Sequence, residues 1–258
     1  MRRILFGLVL MLLALPGMAK MQTKAVEWHV GHDAFSGYVV YDDAGPAHRP
    51  GLLMVPDWYG VTASALDKAR QQAGREYVVF VVDMYGKGKL PAGDQQAGEL
   101  VGALLAQPEV MRARMAAALA AFKAQAGTVP LDVARIGAFG FCFGGSSVLE
   151  LARSGAHLAG IVTFHGGLKT QSPAASGAVK TPLLVLNGAA DASQKDAIVP
   201  FEQEMDRAGA DWTFVNFGGA VHCFALETAN RPGCKYDPRA ARRAYAMMHA
   251  FFAERFAR

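Results

Sequence analysis

Gly140-Phe141-Cys142-Phe143-Gly144-Gly145 is the segment with the clearest chemical content. It follows the apolar run Ile136–Phe139, read as a strand, and precedes Ser146–Ser154, read as a helix. A nucleophile between glycines at such a junction is a nucleophile elbow, here with Cys in the Ser position. The sharp turn holds the reactive side chain out, and side chains two residues to either side would collide, so glycine is needed there. The helix that follows points its N-terminus at residue 142, which favours the thiolate. Cys142 is the candidate nucleophile.

A nucleophile of this kind needs a base and a group to orient that base. With such an elbow they follow in the order nucleophile, acid, histidine. Asp191 lies just past the strand Leu183–Leu186, and His222 just past the strand Trp212–Phe217. Both positions are beyond the carboxyl ends of strands, where open α/β sheets place their sites. Cys142, Asp191 and His222 therefore form a set suited to acyl transfer. Asp191 has a rival acid in Asp196 on the same loop, and a turn or cap role is open to Asp191. His222 has a rival in His165, within Phe164-His165-Gly166-Gly167. The similar His-Gly-Gly oxyanion motif precedes the nucleophile in lipases, whereas this one follows it, so His165 reads as packing. No HExxH, CxxC or His-x-His spacing points to a metal, and Gly86-Lys87-Gly88-Lys89 is neither a Walker loop nor a dinucleotide fingerprint.

The elements that must position these residues follow from the hydrophobic pattern. Val26–Val30 and Phe35–Tyr41 read as two short strands joined through Gly31-His32-Asp33. Gly51–Val55 and Val78–Val82 are continuous apolar runs, as expected of strands covered on both faces. Ala63–Arg75 is a helix that Thr62 or Ser64 caps. A Gly/Lys/Pro loop covers Tyr85–Gly93, and helices follow at Asp94–Ala106 and Pro108–Ala126. In the second, Met111, Met115, Ala118, Leu119 and Phe122 make one apolar face. Beyond the elbow come the strand Leu158–Phe164, the strand Leu183–Leu186, the helix Val199–Ala208, the strand Trp212–Phe217 and the helix Pro238–Phe256. This alternation predicts an α/β fold with a mostly parallel central sheet and helices on both faces. No Pro/Ser-rich linker interrupts residues 20–258, which read as one domain.

Composition sets the outer bounds. The 258 residues are 52% hydrophobic and 19% charged, which excludes intrinsic disorder. Three cysteines are too few for a disulfide-stapled miniprotein. The net charge is +4, half of it from Arg2 and Arg3, and the remaining basic residues are scattered, so no nucleic-acid partner is expected. Residues 1–19 read as a signal peptide: Arg2-Arg3, the apolar stretch Ile4–Leu15, then small residues before a cut after Ala19. That stretch is shorter than the ~20 residues of a membrane span. The expected mature chain is exported, periplasmic or secreted, with no membrane association after cleavage. In an oxidising compartment Cys223 and Cys234 are close enough in sequence to pair and leave Cys142 free, while three reduced cysteines are equally open. Oligomeric state has no signature here.

Taken together, these segments resemble the dienelactone hydrolase (carboxymethylenebutenolidase) family, in particular its exported bacterial branch. The resemblance covers nearly all of the mature chain and rests on Pro56-Asp57-Trp58-Tyr59-Gly60, on Val82–Lys89, on the elbow, on Phe164-His165-Gly166-Gly167 and on Gly219-Ala220-Val221-His222-Cys223-Phe224. It implies an α/β-hydrolase fold, a Cys-His-Asp triad, no cofactor and a small ester or lactone as substrate. Carried over, Cys142 is the nucleophile, His222 the base and Asp191 its orienter, with oxyanion donors at the backbone N–H groups of Phe143 and Trp58. Three positions depart from the family pattern. Asp57 stands where Glu is typical, one methylene shorter toward the thiol it is thought to control. Lys87 takes the place of one of two substrate-anchoring arginines, keeping charge but losing the bidentate fork, and Leu226 takes the place of the other. Cys223 follows His222 where Ser is common, and a Cys223–Cys234 bridge would pin the histidine loop. The expectation is an ester or lactone hydrolase; the alternative is a secreted ligand-binding protein that keeps the fold without turnover.

Overall fold

The computed structural model describes residues 20–257. The signal-peptide reading of residues 1–19 lies outside the described residues. Strands β1 (Met21–Val30), β2 (Asp33–Asp42), β3 (Arg49–Val55), β4 (Val78–Val81), β5 (Leu131–Phe141), β6 (Ile161–Phe164), β7 (Leu183–Gly188) and β8 (Trp212–Phe217) form one sheet in the order β1-β2-β4-β3-β5-β6-β7-β8. From β4 to β8 every pairing is parallel, while the β1–β2 hairpin joins β4 antiparallel. The helices are α1 (Ala63–Ala73), α2 (Asp94–Leu105), α3 (Pro108–Lys123), α4 (Phe143–Arg153), α5 (Ile198–Arg207) and α6 (Pro238–Phe256).

The period of two along a strand sends alternate side chains into two cores. Leu53 and Val55 of β3 join Val78 and Phe80 of β4, Met111, Met115 and Phe122 of α3 and Val148 and Leu151 of α4 on one face. Leu52 and Met54 join Val79, Val81, Phe139, Phe141 and the α6 residues Ala244, Met248 and Phe252 on the other. Both faces of the parallel strands are therefore dry, which is why their sequences read as unbroken apolar runs.

The expected elements are present, with shifts at their ends. Strand β5 runs from Leu131 to Phe141, longer than Ile136–Phe139, because Arg49 and Pro50 pair with Leu131 and Asp132 before a register shift. Helix α4 begins at Phe143, three residues before the expected Ser146. Gly144 and Gly145, read as turn residues, are its first turn: a Cβ on Gly144 would lie 2.1 Å from the Val55 carbonyl oxygen, so helix and sheet meet with no room for a side chain. Thr62 is the residue that caps α1, its Oγ1 accepting from the Ala65 N–H at 3.3 Å. A short hairpin of β9 (Asn230–Arg231) and β10 (Cys234–Lys235) was not anticipated, since two residues per strand carry no periodic signal.

Candidate active site

Strands β3, β5, β6, β7 and β8 end on the same side of the sheet, and the loops beyond them form the site. Cys142 sits between β5 and α4 at φ 53°, ψ −116°. A non-glycine residue holds such a conformation only when its surroundings impose it. Gly140 supplies part of that constraint: an added Cβ would lie 2.2 Å from the Gly144 carbonyl oxygen. The Cys142 N–H donates to the Phe164 carbonyl and the Cys142 carbonyl accepts from Ser146, so the turn is tied at both ends.

His222 reaches back to the elbow from the loop after β8. Its Nε2 lies 3.1 Å from Cys142 Sγ and its Nδ1 lies 2.7 Å from Asp191 Oδ2. Asp191 is buried, and its Oδ1 accepts from the Ser193 N–H at 3.0 Å and the Ser193 hydroxyl at 2.6 Å. Burial alone works against the Asp191 carboxylate, but the hydrogen bonds from His222 and Ser193 outweigh it and hold its pKa below the usual value. Burial likewise works against a charged His222; its contacts with Asp191 and Cys142 prevail and push its pKa up to about 10. Asp196, the rival acid, is exposed in a short turn at Lys195–Ala197.

His165 is fully buried and adopts φ 41°. Its ring meets His222 edge-on at 5.2 Å and Phe224 at 5.1 Å, and neither ring nitrogen has a hydrogen-bond partner among the described residues. Burial and the neighbouring His222 keep its pKa well below the ordinary value, so it backs His222 as a neutral ring. The non-glycine residues at positive φ among those described are Cys142, His165 and Cys223, and all three are at this site.

The two backbone N–H groups expected as oxyanion donors belong to residues that adjoin the cleft. Phe143 is the first residue of α4, where an amide has no acceptor within the helix. Trp58 lies in the loop after β3, and no hydrogen bond among the described residues uses the N–H of either. Tyr85 braces both: its hydroxyl donates to the Trp58 carbonyl at 2.8 Å and its ring stacks on Phe143 at 5.6 Å and 6°. Asp83 in turn holds the Tyr85 and Gly86 amides through Oδ1.

The remaining expected residues separate. Asp57 lines the cleft beside Cys142, but its Oδ1 accepts from the Tyr59 N–H at 2.9 Å, and no hydrogen bond joins it to Cys142 among the described residues. Desolvation raises its pKa. Lys87 is a correction. Gly86 and Gly88, both at positive φ, turn the loop so that the Lys87 N–H bonds Ala34 on β2; its Nζ pairs with Glu27 at 2.7 Å and lines neither cavity of the site. Leu226 does line the cleft, so neither anchoring position places a cation there.

Two cations enter from elsewhere. Lys68 of α1 lies 5.3 Å above the Phe141 ring and donates to the Tyr245 hydroxyl at 3.0 Å; burial lowers its pKa. Its signal in the sequence was a charge among Ala65, Ala69 and Gln72, on the apolar stripe of α1. Arg231 of β9 lies 5.3 Å above the Trp58 ring and pairs with Asp94, which also accepts from the Tyr59 hydroxyl. The hairpin that carries it is tied down by a Cys223–Cys234 disulfide, leaving Cys142 as the free cysteine. The Lys235 N–H donates to the His222 carbonyl at 3.0 Å, so the same hairpin steadies the histidine.

The cleft over Cys142 has a volume of about 1040 Å³ and a smaller one beside Asp191 about 630 Å³. Among the described residues no group of three or more His, Cys, Asp or Glu side chains is arranged to hold a metal, and no helix is long and apolar enough to cross a membrane.

Comparison with known proteins gives the fold and the family. The solved structure named m3DLH superposes with a TM-score of 0.85 at 34% identity, covering 92% of this chain and 99% of that one. A dienelactone hydrolase-like promiscuous phosphotriesterase, P91, from metagenomic libraries gives 0.84 at 31% identity, with the same coverage. An uncharacterised protein of Caenorhabditis elegans is 32% identical over 157 residues, covering 57% of this chain and 95% of its own. The family model for dienelactone hydrolases matches residues 35–256. The chain belongs to the dienelactone hydrolase family and has its α/β-hydrolase fold.

Proposed function

We propose that this hydrolase cleaves a carboxylic ester or lactone through a thioester on Cys142, with His222 as the base and Asp191 as its orienter. The observation that carries the reading is the relay of contacts, 3.1 Å from Cys142 Sγ to His222 Nε2 and 2.7 Å from Nδ1 to Asp191. With its pKa near 10, His222 holds both ring protons at neutral pH, and its Nε2–H faces the Cys142 sulfur.

The thiolate attacks the carbonyl carbon, and the oxygen that gains charge is received by the N–H groups of Phe143 and Trp58. Each such donor is worth about 3 kcal/mol in the transition state. Collapse breaks the ester C–O bond, and His222 gives its Nε2 proton to the departing oxygen. The neutral ring then takes a proton from water, which attacks the thioester; the thiolate leaves and the ion pair is restored. Asp191 keeps its proton-free state throughout and fixes the ring tautomer.

The cleft favours substrates other than dienelactone itself. Leu226 replaces a carboxylate anchor and Lys87 pairs with Glu27, so an anionic lactone is without the two-arginine clamp; of the cations that line the cleft, Arg231 is paired with Asp94 and Lys68 is a point charge. Activated esters and thioesters suit a thiolate better. The test is hydrolysis of an aryl ester, a thioester and a dienelactone by wild type beside Cys142→Ala. Turnover lost in the variant, fastest in wild type on the aryl ester, supports the reading. Equal turnover by both proteins, or by neither, rejects it and brings forward the ligand-binding alternative.

We also propose export to the periplasm or exterior, as in the exported bacterial branch. The Cys223–Cys234 disulfide supports this, since such bonds persist in oxidising compartments. Cell fractionation with N-terminal sequencing should find a mature chain beginning near Lys20; an intact Met1 in the cytosol rejects it.

A further inference from the structure

On the acyl-transfer reading above, we infer that Gln194 is a positioning residue: it fixes the direction of the Ser193 hydroxyl, and through it the Asp191 carboxylate that orients His222. Three hydrogen bonds link these groups. The Leu168 N–H donates to Gln194 Oε1 at 3.0 Å, Gln194 Nε2 donates to Ser193 Oγ at 2.9 Å, and the Ser193 hydroxyl donates to Asp191 Oδ1 at 2.6 Å.

The donors and acceptors in this chain allow it one direction. A backbone N–H can only donate, so the Gln194 atom that meets Leu168 is the carbonyl oxygen. The other end of the amide is then the NH2 group, which also only donates, and the Ser193 oxygen must accept from it. The single Ser193 proton is left for Asp191 Oδ1. The Ser193 N–H reaches the same oxygen at 3.0 Å, so Oδ1 is held by two donors and Oδ2 is left to face His222 Nδ1.

The surroundings give Gln194 its task. Ser193 is exposed and lines the open cavity beside Asp191, where a hydroxyl with no second partner would turn between the carboxylate and water. Gln194 is buried, and so is Leu168, whose carbonyl accepts from Arg153 Nη2 at 2.8 Å. Arg153 is itself paired with the buried Glu150 and Glu204. The chain of donors therefore runs from a fixed segment beyond β6 to the carboxylate beyond β7, and each bond polarises the next in the same sense.

The test is kcat and KM for an activated aryl ester in variants that invert or remove the guide. Gln194→Glu keeps the shape and the acceptor for Leu168, but an oxygen replaces the NH2 group. The Ser193 proton then turns to that oxygen and a Ser193 lone pair faces Asp191 Oδ1. Its kcat should fall by about tenfold with KM unchanged. Ser193→Ala removes the hydroxyl, keeps the N–H bond and should cost about threefold. The double variant should return to the level of Ser193→Ala, because Gln194 acts only through the hydroxyl. Gln194→Met, which frees the hydroxyl without adding charge, should lie between wild type and Gln194→Glu and have no effect in the Ser193→Ala background. A Gln194→Glu as fast as wild type, a loss carried by KM, or an effect of either Gln194 variant that persists without the Ser193 hydroxyl overturns the inference. Failure of the underlying reading looks different: hydrolysis would persist in Cys142→Ala.

Discussion

The floor of the cleft, where β3, β5 and β6 end, is built almost without side chains, whereas its roof, the β9–β10 hairpin, is built almost entirely from exposed ones. On the floor, Gly140, Gly144, Gly145 and Gly166 each meet another atom within 2.4 Å of where a Cβ would stand. In the roof, Asn230, Arg231, Pro232 and Gly233 are exposed, and a disulfide and a few hydrogen bonds hold the turn in place. The floor fixes where the sulfur and the two amides point, and close packing leaves it one arrangement. The roof shapes what reaches them, and its side chains can change without disturbing the sheet. The reacting groups and the cover over them are thus held by regions of different mechanical character.

Substitutions should separate the two regions. The largest effect is expected on the floor: Gly144→Ala drives a methyl into the Val55 carbonyl and should give little soluble protein, measured by expression and circular dichroism. Native-like melting of that variant would break the contrast. Next, Asp191→Asn should fold but lose about 10⁴-fold in kcat, because the His222 tautomer is no longer fixed; a loss below tenfold would remove Asp191 from its role.

Opening the disulfide with Cys234→Ser should cost about 2–3 kcal/mol of stability, read by urea unfolding. It should also blur the roof while the Cys142 sulfur remains alkylatable. Tyr85→Phe removes one neutral hydrogen bond to the Trp58 carbonyl, at about 0.5–1.5 kcal/mol, and should lower kcat by up to about tenfold with KM little changed. An equal effect on KM alone would place Tyr85 in substrate binding instead.

Stability should also depend on pH. His222 is raised from its ordinary value near 6.5 to about 10, so its contribution is complete below about pH 6.5 and is lost as pH rises through 10. Melting temperature should fall over that interval, and His222→Asn should flatten the fall. An unaltered slope in the variant would assign it to other groups.

Much of this molecule was legible before its coordinates. Continuous apolar runs at Gly51–Val55 and Val78–Val82 read correctly as doubly covered strands, because burial on both faces leaves no polar position to interrupt them. The elbow was legible because the requirement for Gly140 comes from its contact with Gly144 and Gly145, within six consecutive residues. The start of α4 was misjudged, since Gly144 and Gly145 look like breakers until β3 and Gly166 are seen to press against them. Lys87 was misplaced because a sequence gives its position along a loop, and the turn at Gly86 and Gly88 carries that loop toward β2.

Chemical type and chain order are local properties: the Cys at a strand-to-helix turn, and the Asp and His beyond later strands, were determined by sequence alone. Distances between remote segments are not local. That Asp191 rather than Asp196 meets His222, that Cys223 bonds Cys234, that Lys68 enters the cleft and that Arg231 covers Trp58 were decided by tertiary packing. Each depends on how far one loop leans over another, and no periodicity along the chain encodes that.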